Sequence, residues 1–306
     1  MQHGTTGVSY ASSDSWIILS EIEQSIKQKI NAVGIPLRDW KININYGIKT
    51  GLNDAFIIDT AKKDALIAED PRSAEIIRPI LRGRDIRRYG YDWAGLWMIC
   101  TFPSRQYDID AYPAVKQHLL SFGKQRLEQT GKKYIIDGVT VSARKKTSNK
   151  WFETQDAISY WDDFSQPKIA FAETMRVHRT GGADRFPRFS YVDEGYFHDK
   201  TSFIATGPDL MYVLAVMNSA VMNYYIHKNI AVLDTGGFLM QKIYIDMLPI
   251  PRASVALHDQ IQALAQQVIE LRRRNEDTSI LESEIDDWVY MIFGFTDDEI
   301  AYIRHT

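Results

Sequence analysis

Apolar residues recur at helical intervals near both ends of the chain and at alternate positions between them. Trp16, Ile18, Ile22, Ile26 and Ile30 predict a helix, which Gly34 and Pro36 close. The period then shortens: Ile42, Ile44 and Tyr46 alternate with polar residues, Gly47 and Gly51 punctuate, and Ala55-Phe56-Ile57-Ile58 resumes a β-type run. A short helix is predicted over 73–81, a buried strand over 96–102, and a helix within 113–129 from Val115, Leu119, Leu120 and Leu127. Further strands are expected near 168–174, 189–192 and 201–206, and one buried helix over 210–225. After Pro251 the β character stops. Leu257, Ile261, Leu264, Val268 and Leu271 step by four, three, four and three, the seam of a helix packed on another helix. Two more helices are expected over 279–293 and 297–304, the latter capped by Thr296. The pattern predicts an α+β chain in three segments: 1–35, a linker and helix; 36–251, a mixed, β-rich body; and 252–306, a helical bundle.

Composition narrows this picture. With 45% hydrophobic and 25% charged residues over 306 positions, the chain has the ordinary balance of a soluble protein able to bury a sizeable core. The lone Cys100 excludes an internal disulfide and a cysteine-rich zinc site. It lies in the run Leu96-Trp97-Met98-Ile99-Cys100, reads as a buried thiol, and fits a reducing cytoplasm. No apolar run reaches the roughly 20 residues of a membrane span, and the first residues lack a signal peptide's basic and apolar regions, as though cut from a longer chain.

Net charge is −3, which by itself speaks against nucleic acid. Its distribution does not. Residues 251–306 carry 5 basic and 11 acidic groups, which leaves the rest at +3. Within 120–150, eight basic residues face only Glu128 and Asp137. Attraction to phosphate acts over a Debye length of about 8 Å, so local clustering outweighs the sum. The stretch 131–150, polar and basic, is expected to be mobile or to order only on DNA.

No catalytic constellation emerges. The seven histidines are scattered without His-Glu-x-x-His spacing, and there is no Gly-x-Ser-x-Gly elbow or phosphate-binding Gly-x-x-x-x-Gly-Lys loop. The Asn-Pro-Pro-Tyr signature of amino-methyltransferases is missing, Asp70-Pro71-Arg72 being the nearest fragment, and no nuclease Glu-x-Lys spacing is found. Glu153, Asp156, Asp162 and Asp163 read as surface acids. No catalysis is expected from this chain alone.

One stretch carries a resemblance. Gly47-Ile48-Lys49-Thr50-Gly51-Leu52-Asn53-Asp54-Ala55-Phe56 resembles the Gly-Ile-x-Thr-Gly-x-Asn-x-Ala-Phe opening of the TaqI-like C-terminal specificity domain of type IIG restriction–modification enzymes. Arg82-Gly83-Arg84-Asp85-Ile86, Tyr112-Pro113 through His118-Leu119, Trp151-Phe152-Glu153, Pro167-Lys168-Ile169, Thr201-Ser202-Phe203-Ile204, Met217-Asn218-Ser219 and Leu248-Pro249-Ile250-Pro251 are similar to the family's later blocks, in order. The basic stretch 131–149 is longer than the family suggests. The resemblance implies that the β-rich segment is a DNA target-recognition body that binds a short double-stranded site. Methylation of adenine N6 from S-adenosylmethionine, and Mg²⁺-dependent cleavage, would belong to methyltransferase and nuclease domains of the parent polypeptide.

Within that implication, Lys49, Thr50, Arg82 and Arg84 are candidates for phosphate, with Gly47 and Gly51 letting backbone N–H groups approach an anion. The alternatives are a plain β-turn and an arginine–carboxylate structural pair. Forked donors read bases in the major groove, so Arg176, His178, Arg179, Arg185 and Arg188 on a glycine-rich loop, with Lys200, are candidates for base contact, a solvated loop being the alternative. Lys132, Lys133, Arg144, Lys145 and Lys146 are weaker candidates. A rival reading is a non-catalytic protein-interaction domain that uses 257–274 as a coiled-coil contact; a second is an enzyme with an unfamiliar active site.

Overall fold

In the computed structural model, residues 19–136, 138–177, 184–234 and 236–305 are described. They form two compact units, each discontinuous in sequence: one takes the described residues up to Ile42, then 177–187 and 208 onward, and the other takes 43–176 and 188–207. The architecture is α+β.

The second unit holds the two four-stranded sheets. Asn43–Tyr46, Ser202–Thr206, Lys168–Ala172 and Ser190–Val192 form an antiparallel sheet, with Phe203 opposite both Tyr46 and Phe171. Ile57–Asp59, Leu96–Ile99, Ile77–Leu81 and Phe197–His198 form a second sheet, whose last pairing is parallel. Ile48, Ile80, Met98, Phe164, Phe197 and Ile204 pack together as a buried cluster. Cys100 is buried as expected, and desolvation pushes its thiol up to about 12.

The first unit is helical. Glu21–Val33 starts with a reciprocal capping box between Ser20 and Glu23 and buries Ile26 and Ile30; Trp16 and Ile18 lie outside the described residues. Gly34–Pro36 pairs with Pro249–Pro251. Val255–Arg273 buries Ile261, Leu264 and Val268 against Leu210–Met217 and Ser279–Phe293. The seam is thus consumed inside the unit, which removes the apolar surface that a coiled-coil partner would need. Thr296 caps Asp297–Arg304, again in a capping box.

Four sequence expectations are corrected. Residues 73–81 are not a helix but a 3-10 turn, Pro71–Glu75, followed by the strand Ile77–Leu81; Pro79 has no N–H to give a helix interior. The stretch 210–225 is broken, with Leu210–Met217 ending at Asn218 and Ser219 capping Ala220–Asn229 by accepting the Met222 N–H. The run at 55–58 divides into the helix Asn53–Phe56 and the strand Ile57–Asp59. Finally, 131–150 is not featureless: Lys133–Ile136 and Val139–Ser142 form an antiparallel hairpin.

Candidate nucleic-acid interface

Three loops that the sequence reading singled out are stitched together by main-chain bonds. The Gly47 N–H donates to the Ser202 carbonyl at 2.8 Å and the Ile48 N–H to that of His198 at 2.7 Å, while the Asp199 N–H donates to the Leu81 carbonyl at 3.0 Å. The Gly83 N–H donates to Thr201 Oγ1 at 2.8 Å. Ile48 and Asp199 form a parallel bridge, so Lys49 stands abreast of Lys200 one residue on. Lys49, Arg84 and Lys200 are all exposed. Like charges held side by side repel unless an anion offsets them. A fourth segment joins from beneath: the Gln155 and Asp156 N–H groups donate to the Lys49 carbonyl, and Asp156 accepts the Lys49 N–H at 3.1 Å.

Other candidates have structural tasks. Thr50 is buried; its hydroxyl donates to Asn53 Oδ1 at 2.7 Å and accepts the Leu52 N–H, so it fastens the turn and is withdrawn as a phosphate contact. Gly47 does not offer its N–H to an anion, since Ser202 takes it. Gly51 sits at φ +79° against Arg144 and Gln155 and serves the turn. Arg82 forms a fork on Asp85, Nε to Oδ2 at 2.9 Å and Nη2 to Oδ1 at 2.7 Å, and this bond holds its guanidinium above the ordinary arginine value. It is the structural pair that the sequence left open.

The arginine-rich loop divides. Arg176 is exposed. His178 and Arg179 lie outside the described residues. Arg185 lies 3.6 Å from Asp286 and 3.9 Å from Glu282, both buried carboxylates of one helix. Arg188 is buried, its Nη2 donating to the Arg176 carbonyl at 2.7 Å. A buried guanidinium cannot reach a base edge, so Arg188 is withdrawn.

Arg144 is the clearest correction. It is 4% exposed, and its guanidinium donates to four carbonyls: Leu127 at 2.7 Å, Thr50 and Glu153 at 2.7 Å each, and Trp151 at 2.6 Å. Burial pulls it down to about 10, with Glu153 opposing. It is a rivet and not a DNA contact. Lys132, Lys133, Lys145 and Lys146 are exposed around it. The acids read as surface groups also hold loops: Glu153 accepts the Lys150 N–H at 2.7 Å, and Asp163 accepts from the Asn45 amide.

Sequence reasoning missed the buried Lys168, whose Nζ donates to the carbonyls of Phe164, Gln166 and Asp193 at 2.8, 2.8 and 3.2 Å. A lysine opening the apolar run Ile169-Ala170-Phe171 was the available signal. Burial pulls its ammonium down to about 8, against the raising influence of Asp193, Glu194 and Asp163. Between about 8 and the ordinary 10.5, the unfolded chain keeps a proton that the folded chain has shed, so raising pH favours folding. The stability of the chain relative to Lys168→Met is therefore expected to rise from pH 7.5 to pH 10, read as the difference in urea midpoints; a constant difference would refute the shift.

An open cleft of about 620 Å³ is lined by Tyr107, Asp108, Asp110, Lys116 and Trp151. Its carboxylates are engaged, Asp108 with the Asp110 N–H and Asp110 with Lys116. Among the described residues no group of three or more histidine, cysteine or acidic side chains is placed to hold a metal ion, and no helix is long and apolar enough to cross a membrane.

The chain matches the TaqI-like C-terminal specificity domains over residues 78–250 and belongs to that family, the DNA-recognition domains of restriction–modification enzymes. Its fold is similar to a solved structure of the type IIL restriction–modification enzyme MmeI in complex with DNA, with a TM-score of 0.57 and 12% identity over 89% of this chain and 35% of that one. The type IIG restriction endonuclease BpuSI is also similar, with a TM-score of 0.49 and 13% identity over 89% of this chain and 33% of that one. The chain thus spans about a third of the length of each. No curated protein matches it in sequence.

Proposed function

We propose that the chain binds a short duplex DNA site, with Lys49 and Arg84 on phosphates and Arg176 and Lys200 facing base edges. The observation that carries this reading is the set of main-chain bonds locking the loops of Lys49, Arg84 and Lys200 into one cluster. Cations carried on loops whose backbones are fixed in advance lose less entropy on meeting phosphate than cations on a free chain. Lys132, Lys133, Lys145 and Lys146 add charge beside them. In the parent enzyme, an adenine methyltransferase domain using S-adenosylmethionine and a Mg²⁺-dependent nuclease domain would perform the chemistry, with the duplex held in register while the target base leaves the stack.

A salt titration of the full chain on a mixed-sequence duplex, followed by fluorescence anisotropy, tests this. The two phosphate-bound cations imply a slope of about −1.8 in log affinity against log salt, or roughly a 12-fold loss between 50 and 200 mM. Lys49→Ala should reduce the slope by about 1 and weaken all sequences alike. A flat titration would falsify the reading.

A further inference from the structure

The hairpin of Lys133–Ile136 and Val139–Ser142 has a feature that phosphate binding does not use. Ile135 is 81% exposed and Val139 is 63% exposed. Single exposed apolar residues are commonplace; here two lie three residues or fewer from the end of one ribbon. Lys133 pairs with Ser142 and Ile135 with Thr140, so these four share one face, and all four are exposed. Lys132, Lys145 and Lys146 flank the root, also exposed.

An isolated two-stranded ribbon is marginal in water. This one is fixed at its root instead. The Gly131 N–H donates to the Arg144 carbonyl and the Ala143 N–H to that of Lys132, each at 2.9 Å. Tyr134 donates its hydroxyl proton to Glu128 at 2.9 Å. Arg144 then ties the root to the carbonyl of Thr50, next to Lys49. The fold therefore anchors the stem next to a proposed phosphate contact and, among the described residues, leaves Ile135 and Val139 exposed at its end.

We propose that this hairpin enters the major groove of the duplex, with Ile135 on thymine methyl groups and the flanking lysines on the phosphates of the groove walls. The inference rests on the DNA-recognition reading given above. The major groove is about 12 Å wide and admits a two-stranded ribbon, and the thymine methyl is the apolar group it displays. Thr140 and Ser142 lie on the same face as Ile135, where their hydroxyls suit base-edge donors or acceptors. The basic flanks favour a polyanion over an apolar protein surface as the occupant.

The test begins by selecting a preferred duplex from a randomised pool with the full wild-type chain. That duplex is then synthesised with each thymine in turn replaced by deoxyuridine, which removes only the methyl group. Wild type should lose about fourfold in affinity per contacted methyl. Ile135→Ala and Ile135→Thr should bind the thymine duplex more weakly by a similar factor, become indifferent to the replacement, and keep the salt slope of wild type. Thermal unfolding of both variants should match wild type, since the side chain is exposed. Indifference of wild type to deoxyuridine, with unchanged affinity in Ile135→Ala, overturns the proposal and leaves the end of the hairpin to a protein contact. A DNA bend that is lost in Ile135→Ala without any deoxyuridine effect also overturns it, in favour of a minor-groove wedge. Failure of wild type to bind any duplex overturns both this proposal and the reading on which it rests.

Discussion

Arg144→Ala is expected to lower the stability of the chain by about 4 kcal/mol, because it strips four backbone carbonyls of one shared donor group. Hydrogen bonds to a charged donor are each worth about 1.5–3 kcal/mol net, and they do not add when they share a donor. Water reaching part of the vacated space would recover some of the loss, which is why the figure sits well below the sum. Arg144→Lys should restore less than half of it: an ammonium is a point donor on a flexible stem and cannot span the carbonyls of Leu127, Thr50, Glu153 and Trp151 at once. Urea unfolding followed by tryptophan fluorescence measures the effect, compared at equal slope because a chain of two units need not unfold in one step. A loss below about 1 kcal/mol would mean that the four bonds are dispensable and that Arg144 is free for another task.

The opening motif was legible because nearly every residue in it is used by the fold. Ile48, Ala55 and Phe56 are buried, Thr50 and Asn53 bond to each other, Gly51 has positive φ, and Gly47 touches the neighbouring backbone. These demands are local, so they leave a pattern in sequence. The functional reading attached to that pattern overreached for the same reason: a glycine required for close packing looks identical to one that cradles an anion. Arg82–Asp85 was open to inspection as a pair three residues apart. Arg185 was not, because its carboxylates are at positions 282 and 286, almost a hundred residues away. Arg144 was the least legible of all. Its partners are main-chain carbonyls, which every residue type carries, so no spacing or composition announces them.

The elements failed and succeeded on similar grounds. Strong periodicity placed the helices of 255–304 and the strands near 168–172 and 202–206. The errors fell where a single residue overrides hydrophobicity. Pro79 turns a helical-looking run into a strand, and Ser219 divides one apolar helix into two. The hairpin of 133–142 was hidden by its own exposure, since a ribbon with little buried face lacks the alternation by which strands are recognised. Polar composition there suggests mobility, whereas the bonds that anchor the hairpin at its root run through one buried arginine, Arg144.

Gly47→Ala is expected to be the most damaging single-methyl change in the chain's loop cluster, at about 4 kcal/mol or more. A Cβ at that position would lie 1.8 Å from the Asp199 carbonyl oxygen, 2.5 Å from its carbon and 2.9 Å from the Ser202 carbonyl oxygen. All three are main-chain atoms, so no rotamer change can make room. Relief requires the loop of Lys49 to part from 198–202, and that breaks the Gly47–Ser202 and Ile48–His198 bonds. The backbone of Gly47 is not in the left-handed region, so the penalty is one of space alone. Gly195→Ala provides the contrast: it has φ +89° with nothing within 4 Å of the added carbon. It should cost only the conformational penalty of about 1–2 kcal/mol. Paired thermal melts of the two variants separate clash from strain. If Gly47→Ala folds at low temperature, its duplex affinity should fall further than that of Lys49→Ala, because it displaces Lys49 from beside Lys200 instead of removing one charge. Stability within 1 kcal/mol of wild type would show that the two loops are not held against each other, and the cationic cluster would lose its physical basis.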